Sequence, residues 1–123
     1  MKKHSNTSGH RELYSGLIRL HVLYHASNEP IFGLEMIEEL ARHGYRLSPG
    51  TMYPLLHGLE KKGLLRSTRS GRQPNSRLVY RATAAGRTAL AMAKVKVREL
   101  FGELFENVID AASDTSAKRR KRS

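Results

Sequence analysis

The sequence predicts a mainly α-helical fold with one small β-hairpin. Two patterns carry that expectation: apolar residues recur at helical spacing in four stretches, and two short strand-like segments lie between the third and the fourth. A chain of 123 residues holds one domain with a modest core, plus an appended element that needs a partner to bury its apolar face.

The elements follow in order. Leu13, Leu17, Leu20 and Tyr24 mark a first helix from about residue 10 to 26, stopped by Asn28-Glu29-Pro30. A second begins near Phe32-Gly33, with Met36, Ile37 and Leu40 on one side and Glu35, Glu38, Glu39 and Arg42 outside, and closes at His43-Gly44. Ser48-Pro49 announces a third, because serine can accept a bond from an orphan helix N–H and proline suits the first helical position. Its Met52, Leu55, Leu56 and Leu59 share one side, leaving Gly50, Pro54, His57 and Lys61 opposite and Tyr53 and Gly58 on the flanks. Pro54 leaves two starts open: Pro49 with one internal hydrogen bond missing, or a cap at Thr51 that puts Pro54 in the first turn.

Gly63 ends that helix. Residues 64–69 and 77–82 then read as strands joined by Ser70-Gly71-Arg72-Gln73-Pro74-Asn75-Ser76. Thr83 caps a last helix with a stripe of Leu90, Ala93, Val97, Leu100, Phe101, Leu104 and Val108, while Glu99, Glu103 and Glu106 face away. The expected organisation is a flexible arm over 1–9, a first domain over 10–82, a helix over 83–110 and a disordered basic tail over 111–123 that ends in Lys118-Arg119-Arg120-Lys121-Arg122.

Charge narrows the function. The formal net charge is +11, and between Lys61 and Arg98 there are eleven basic residues and no Asp or Glu. A polyanionic partner is expected, nucleic acid first. The absence of cysteine excludes disulfides, thiolate catalysis and cysteine zinc sites. His21 and His25 stand at i and i+4 on the first helix, but no third ligand is evident nearby, so no metal and no cofactor are expected. No stretch approaches the ~18 apolar residues of a membrane span, and the N-terminal segment is basic and polar; a cytoplasmic protein without membrane contact is expected. With no paired carboxylates in the basic half and no Gly-rich phosphate loop, an enzyme is not expected.

Three helices followed by a basic hairpin is the order of a winged helix-turn-helix, whose third helix enters the major groove while the hairpin touches the backbone or minor groove. The small residues Gly50, Pro54 and Gly58 let that helix approach a groove. Tyr53, His57 and Lys61 supply hydrogen bonds, and Arg66, Arg69, Arg72, Arg77 and Arg81 neutralise phosphates. The last stripe seeks a partner helix, so Leu13, Leu17, Leu90, Val97, Leu100, Phe101, Leu104 and Val108 are the expected dimerisation residues. Phe101 and Phe105 are read either as plain core or as the lining of an effector pocket.

Phe32-Gly33-Leu34-Glu35-Met36-Ile37-Glu38-Glu39-Leu40, followed by Leu47-Ser48-Pro49-Gly50-Thr51-Met52-Tyr53-Pro54-Leu55-Leu56, resembles the PadR family of bacterial regulators. The resemblance continues through Leu59-Glu60-Lys61-Lys62-Gly63-Leu64-Leu65 and Tyr80-Arg81-Ala82-Thr83-Ala84-Ala85-Gly86-Arg87, covering roughly residues 12 to 108. It implies a homodimer on double-stranded operator DNA, with a C-terminal helix crossing its mate, as in the short subgroup of the family. It also implies repression relieved by a small molecule or stress signal. Ser48, Pro49, Thr51 and Tyr53 are thereby assigned to the start of the DNA-reading helix, and Arg72 with its neighbours to the wing tip. Two positions depart from the pattern: many relatives carry Lys-Arg where this chain has His57-Gly58, and the tip with Pro74-Asn75 is longer and less basic. The rival expectations are a non-specific architectural DNA- or RNA-binding protein and a winged-helix protein adaptor.

Overall fold

A computed structural model describes residues 10–106; the expected terminal arms and Val108 lie outside them. The elements run α1 (Arg11–Asn28), α2 (Gly33–Arg42), α3 (Pro49–Lys61), β1 (Leu65–Arg69), β2 (Leu78–Ala82) and α4 (Ala84–Leu104). This is the expected mainly α winged helix-turn-helix, with the strands antiparallel and in the register Leu65↔Ala82 to Arg69↔Leu78.

Local chemistry sets the helix ends. Gly44 and Gly63 have φ of +90° and +80°, the left-handed conformation that glycine adopts without a Cβ penalty. Behind each, two amides fold back onto the helix: Gly44 N–H to Ala41 O and Tyr45 N–H to Leu40 O, then Gly63 N–H to Glu60 O and Leu64 N–H to Leu59 O. Both are Schellman ends, which turn the chain sharply while satisfying the last carbonyls. The start of α3 corrects one expectation and decides another. The Ser48 side chain caps no helix N–H; its hydroxyl is turned to the Thr51 hydroxyl at 3.5 Å, while its carbonyl receives Thr51 and Met52 N–H at 3.0 and 2.9 Å. The helix begins at Pro49 and carries Pro54 inside it, so the alternative start at Thr51 is excluded. Pro54 is exposed, which leaves the Gly50 carbonyl that it cannot bond open to water.

The core gathers Ile18, Val22, Leu23 and Ala26 of α1, Met36 and Leu40 of α2, Met52, Leu56 and Leu59 of α3, and Leu65, Tyr80 and Ala82 of the hairpin. The face that α1 buries is not the Leu13-Leu17-Tyr24 stripe that revealed the helix. Those three are exposed, Leu13 at 71%, so α1 is apolar on a second side. Ile31, ahead of α2, pairs with Tyr80 by two backbone bonds of 2.9 and 2.8 Å and fastens the helices to the hairpin.

The chain divides into a unit that runs through Leu90 and a second from Ala91 onward. The expected boundary at residues 82 and 83 falls inside the first, because Gly86 and Leu90 of α4 are buried. Leu90, grouped by spacing with the dimerisation stripe, packs in the core of its own unit. Thr83 is the expected cap: its Oγ1 accepts Gly86 N–H at 3.0 Å, donates to Gly63 O at 2.6 Å, and its N–H reaches Leu64 O at 3.1 Å. A Cβ on Gly86 would stand 2.1 Å from that Leu64 carbonyl oxygen, a backbone atom with nowhere to go.

A polar cluster joins α1 to the end of α2. The carboxylate of Glu39 receives Arg42 at 2.6 Å and His43 at 3.1 Å, and lies 3.5 Å from His25, while the His21 ring stacks on His43 at 4.7 Å. The Arg42 and His43 hydrogen bonds hold the Glu39 carboxyl below its usual pKa. Burial, and then the nearby His43 and His25, hold the His21 imidazole below 6.5, against a smaller opposing pull from Glu39. Among the described residues, no three His, Asp or Glu side chains are arranged to hold a metal ion.

Two outcomes follow. Gly86→Ala costs about 1–3 kcal/mol through overpacking against backbone, read as a thermal midpoint lower by about 4–8 °C per kcal/mol. Because folded His21 favours the neutral form, its contribution to stability is complete above about pH 6.5 and is lost as pH falls below it. Thermal unfolding between pH 7.5 and 5.5 therefore shows a steeper decline for the natural chain than for His21→Gln.

Candidate nucleic-acid interface

The residues expected to read DNA share one surface of α3. Gly50, Pro54, His57 and Lys61 are all exposed, opposite the buried Met52, Leu56 and Leu59, with Tyr53 half-buried at the flank. Ser48 and Pro49 are exposed and Thr51 half-buried at its first turn, where orphan backbone N–H groups and the helix dipole favour an anion. No acidic residue lies in that turn, and Lys61 ends the helix. The two glycines and the proline keep the exposed face low, so side chains do not hold the backbone away from a groove.

Tyr53 is set by its neighbour. Its ring passes so close to Gly33 at the start of α2 that a Cβ there would meet Cε1, Cζ and Oη at 2.6–2.7 Å. This contact joins the two helices of the helix-turn-helix through the side chain expected to read bases.

The hairpin divides the basic residues into two groups. Arg69 donates to the Ser76 carbonyl at 2.5 Å and Arg81 to the Thr68 hydroxyl at 3.3 Å, while the Arg77 guanidinium lies 3.8 Å above the centre of the Phe32 ring. These arginines shape the wing and each keeps donors to spare, since a guanidinium carries five. Arg66 and Arg72 are exposed, and no hydrogen bond or ion pair among the described residues engages them. The tip is a built turn in which the Ser76 hydroxyl reaches the carbonyls of Gly71 and Gln73 at 3.0 and 2.8 Å.

Sequence reasoning missed Glu60. Its Oε2 accepts both the backbone N–H and the hydroxyl of Ser67, at 3.0 and 2.9 Å, tying the last turn of α3 to β1. The acid immediately before the acid-free stretch fixes the wing against α3. Its place at the edge of that stretch was the available signal. Spacing marks Phe32 and Gly33 as a helix start and the family resemblance includes them, but their contacts with Tyr53 and Arg77 are long-range.

In the second unit, Val97, Leu100, Phe101 and Leu104 are exposed, Leu104 at 66%, and the Phe101 and Phe105 rings lie 4.8 Å apart. Met92 and Val95 are also exposed, so the apolar surface extends beyond the expected stripe. No helix among the described residues is long and apolar enough to cross a membrane.

Comparison with known proteins agrees with this architecture. Residues 22–92 match the transcriptional regulator PadR-like family. Transcriptional regulator Rv3488 of Mycobacterium tuberculosis is 47% identical over 95 residues, covering 77% of this chain and 89% of that protein. Among solved structures, a PadR family transcriptional regulator from Eggerthella lenta superposes with a TM-score of 0.70 at 28% identity, over 86% of this chain and 94% of its own. A PadR-like transcriptional regulator from Bacillus cereus gives 0.66 at 26% identity, over 80% and 96%. With the winged fold and a family match over more than half of its length, this chain belongs to the PadR-like family of transcriptional regulators, and is a regulator rather than an enzyme.

Proposed function

We propose that this regulator is a sequence-specific repressor that binds a pseudo-palindromic operator in the cytoplasm as a homodimer and is released by a small molecule or stress signal. The observation that carries the reading is the pairing of a low, acid-free face on α3 with a wing whose Arg66 and Arg72 have no partner among the described residues. In this reading the two α3 helices of a dimer enter successive major grooves about 34 Å apart. Ser48, Pro49, Gly50, Thr51, Tyr53, Pro54, His57 and Lys61 lie along the groove, and Arg69, Arg72 and Arg77 lie beside the phosphates.

A second copy of the chain supplies the cover that the apolar surfaces need. Leu13 and Leu17 on α1, and separately Val97, Leu100, Phe101 and Leu104 on α4, expose more large apolar side chains than an isolated soluble surface usually carries. An effector seated by Phe101 and Phe105 at that interface would act by changing the separation of the reading helices.

The test is a fluorescence-anisotropy titration against the protein's own upstream DNA and a shuffled duplex at two salt concentrations. A preference of ~10³-fold or more for the native duplex is expected; equal, steeply salt-dependent affinities for every operator tried would instead mark a non-specific architectural protein. Tyr53→Ala is expected to lower affinity for the operator about tenfold and to leave random DNA nearly unchanged, whereas Arg72→Ala weakens both and reduces the salt slope by about one. Leu100→Asp or Leu104→Asp yields monomers with poor DNA affinity, and light scattering that shows an unchanged dimer would remove the α4 assignment.

A further inference from the structure

We infer that Gly33 is a positioning residue for DNA reading: the missing Cβ at the first position of α2 is the seat against which the outer end of the Tyr53 ring rests. The inference builds on the proposed role of Tyr53 and names what aims it. Three observations support it.

The first is the distance. A Cβ at Gly33 would lie 2.6 Å from Cε1 and Cζ and 2.7 Å from Oη of Tyr53, well inside contact, so ring and side chain cannot both occupy that space. The second is the composition of the helix start. Gly33 is buried and its φ is not positive, so backbone conformation does not require glycine there. Helix propensity favours alanine over glycine by up to about 1 kcal/mol. The seat for Tyr53 is the remaining physical reason for a residue without a side chain. The third is which atoms collide. At Gly86 the obstacle is a backbone carbonyl, whereas at Gly33 it is the far end of a side chain that can swing on its χ angles. A methyl at Gly86 therefore strains the fold. A methyl at Gly33 redirects the tyrosine hydroxyl and leaves the fold standing.

The neighbouring residue extends the arrangement. Phe32 carries the Arg77 guanidinium on its ring at 3.8 Å, and Ile31 before it is hydrogen-bonded to Tyr80 of β2. Three consecutive residues thus touch the wing twice and the reading helix once, so the aim of Tyr53 is set in the same frame as the wing.

The experiment is a double-variant cycle on the full-length protein: the natural chain, Gly33→Ala, Tyr53→Ala and the pair, each titrated with operator and shuffled duplex, with thermal midpoints measured in parallel. Gly33→Ala is expected to keep its midpoint within a few degrees, to lose about tenfold in operator preference, and to cause no further loss when Tyr53 is already alanine. Further loss of equal size in both backgrounds, or no loss in the natural background while Tyr53→Ala loses preference, overturns the positioning role and leaves the reading of Tyr53 intact. Unchanged preference in Tyr53→Ala overturns both. Should Gly33→Ala fold poorly, the pair decides the geometry, because truncating Tyr53 empties the space the new Cβ needs. A thermal midpoint of the pair restored to that of Tyr53→Ala supports the seat, and a pair as unstable as Gly33→Ala alone overturns it.

Discussion

The structure depends on one crowded junction, where the end of α3, the start of β1 and the first turn of α4 meet. Gly63 turns the chain, Leu64 passes beneath Gly86 at a distance only a glycine permits, and Thr83 bonds to both sides of the crossing. Glu60, one turn earlier, takes two hydrogen bonds from Ser67. Apart from the Glu60 carboxylate, these contacts involve backbone or short side chains and so have little freedom to adjust. Helix α3, the wing and the root of α4 consequently share a single frame.

Charge is arranged by the same economy of partners. Glu60 and Glu39 are the acids engaged by hydrogen bonds within the described residues, one at the wing and one binding Arg42 and His43 beside α1. From Lys61 to Arg98 nothing acidic competes for the arginines. Their internal contacts are instead with neutral acceptors, the Ser76 and Ala82 carbonyls and the Thr68 hydroxyl, and with the face of Phe32. Such contacts orient a guanidinium without neutralising it. The wing arginines are therefore held in place and still fully cationic.

The residues of α4 after Leu90 present a different problem. Apolar side chains lie exposed along the helix, and Met92 and Val95 extend them beyond the stripe that spacing defines. A surface of that kind needs cover in water. The proposed second copy answers that need by the size of the surface rather than by the identity of any one residue, with Phe101 and Phe105 side by side within it.

By itself the sequence determined the element order, the inward face of α3 and the acid-free half. Periodicity, glycine punctuation and local charge are properties of neighbouring residues and survive without knowledge of the fold. It also determined Thr83 as a cap and Gly63 as a stop, since both act within a few residues of chain. Only the tertiary structure decided that α1 buries Ile18, Val22 and Leu23 rather than its Leu13-Leu17-Tyr24 side, because a helix with two apolar faces does not announce which one a neighbour will cover. It decided that Ser48 leaves its cap unmade, that Leu90 turns to its own core, and that Gly33, Phe32 and Glu60 meet Tyr53, Arg77 and Ser67. Those choices rest on contacts between segments far apart in the chain, where a missing Cβ or a single carboxylate acquires meaning only from what the fold brings against it.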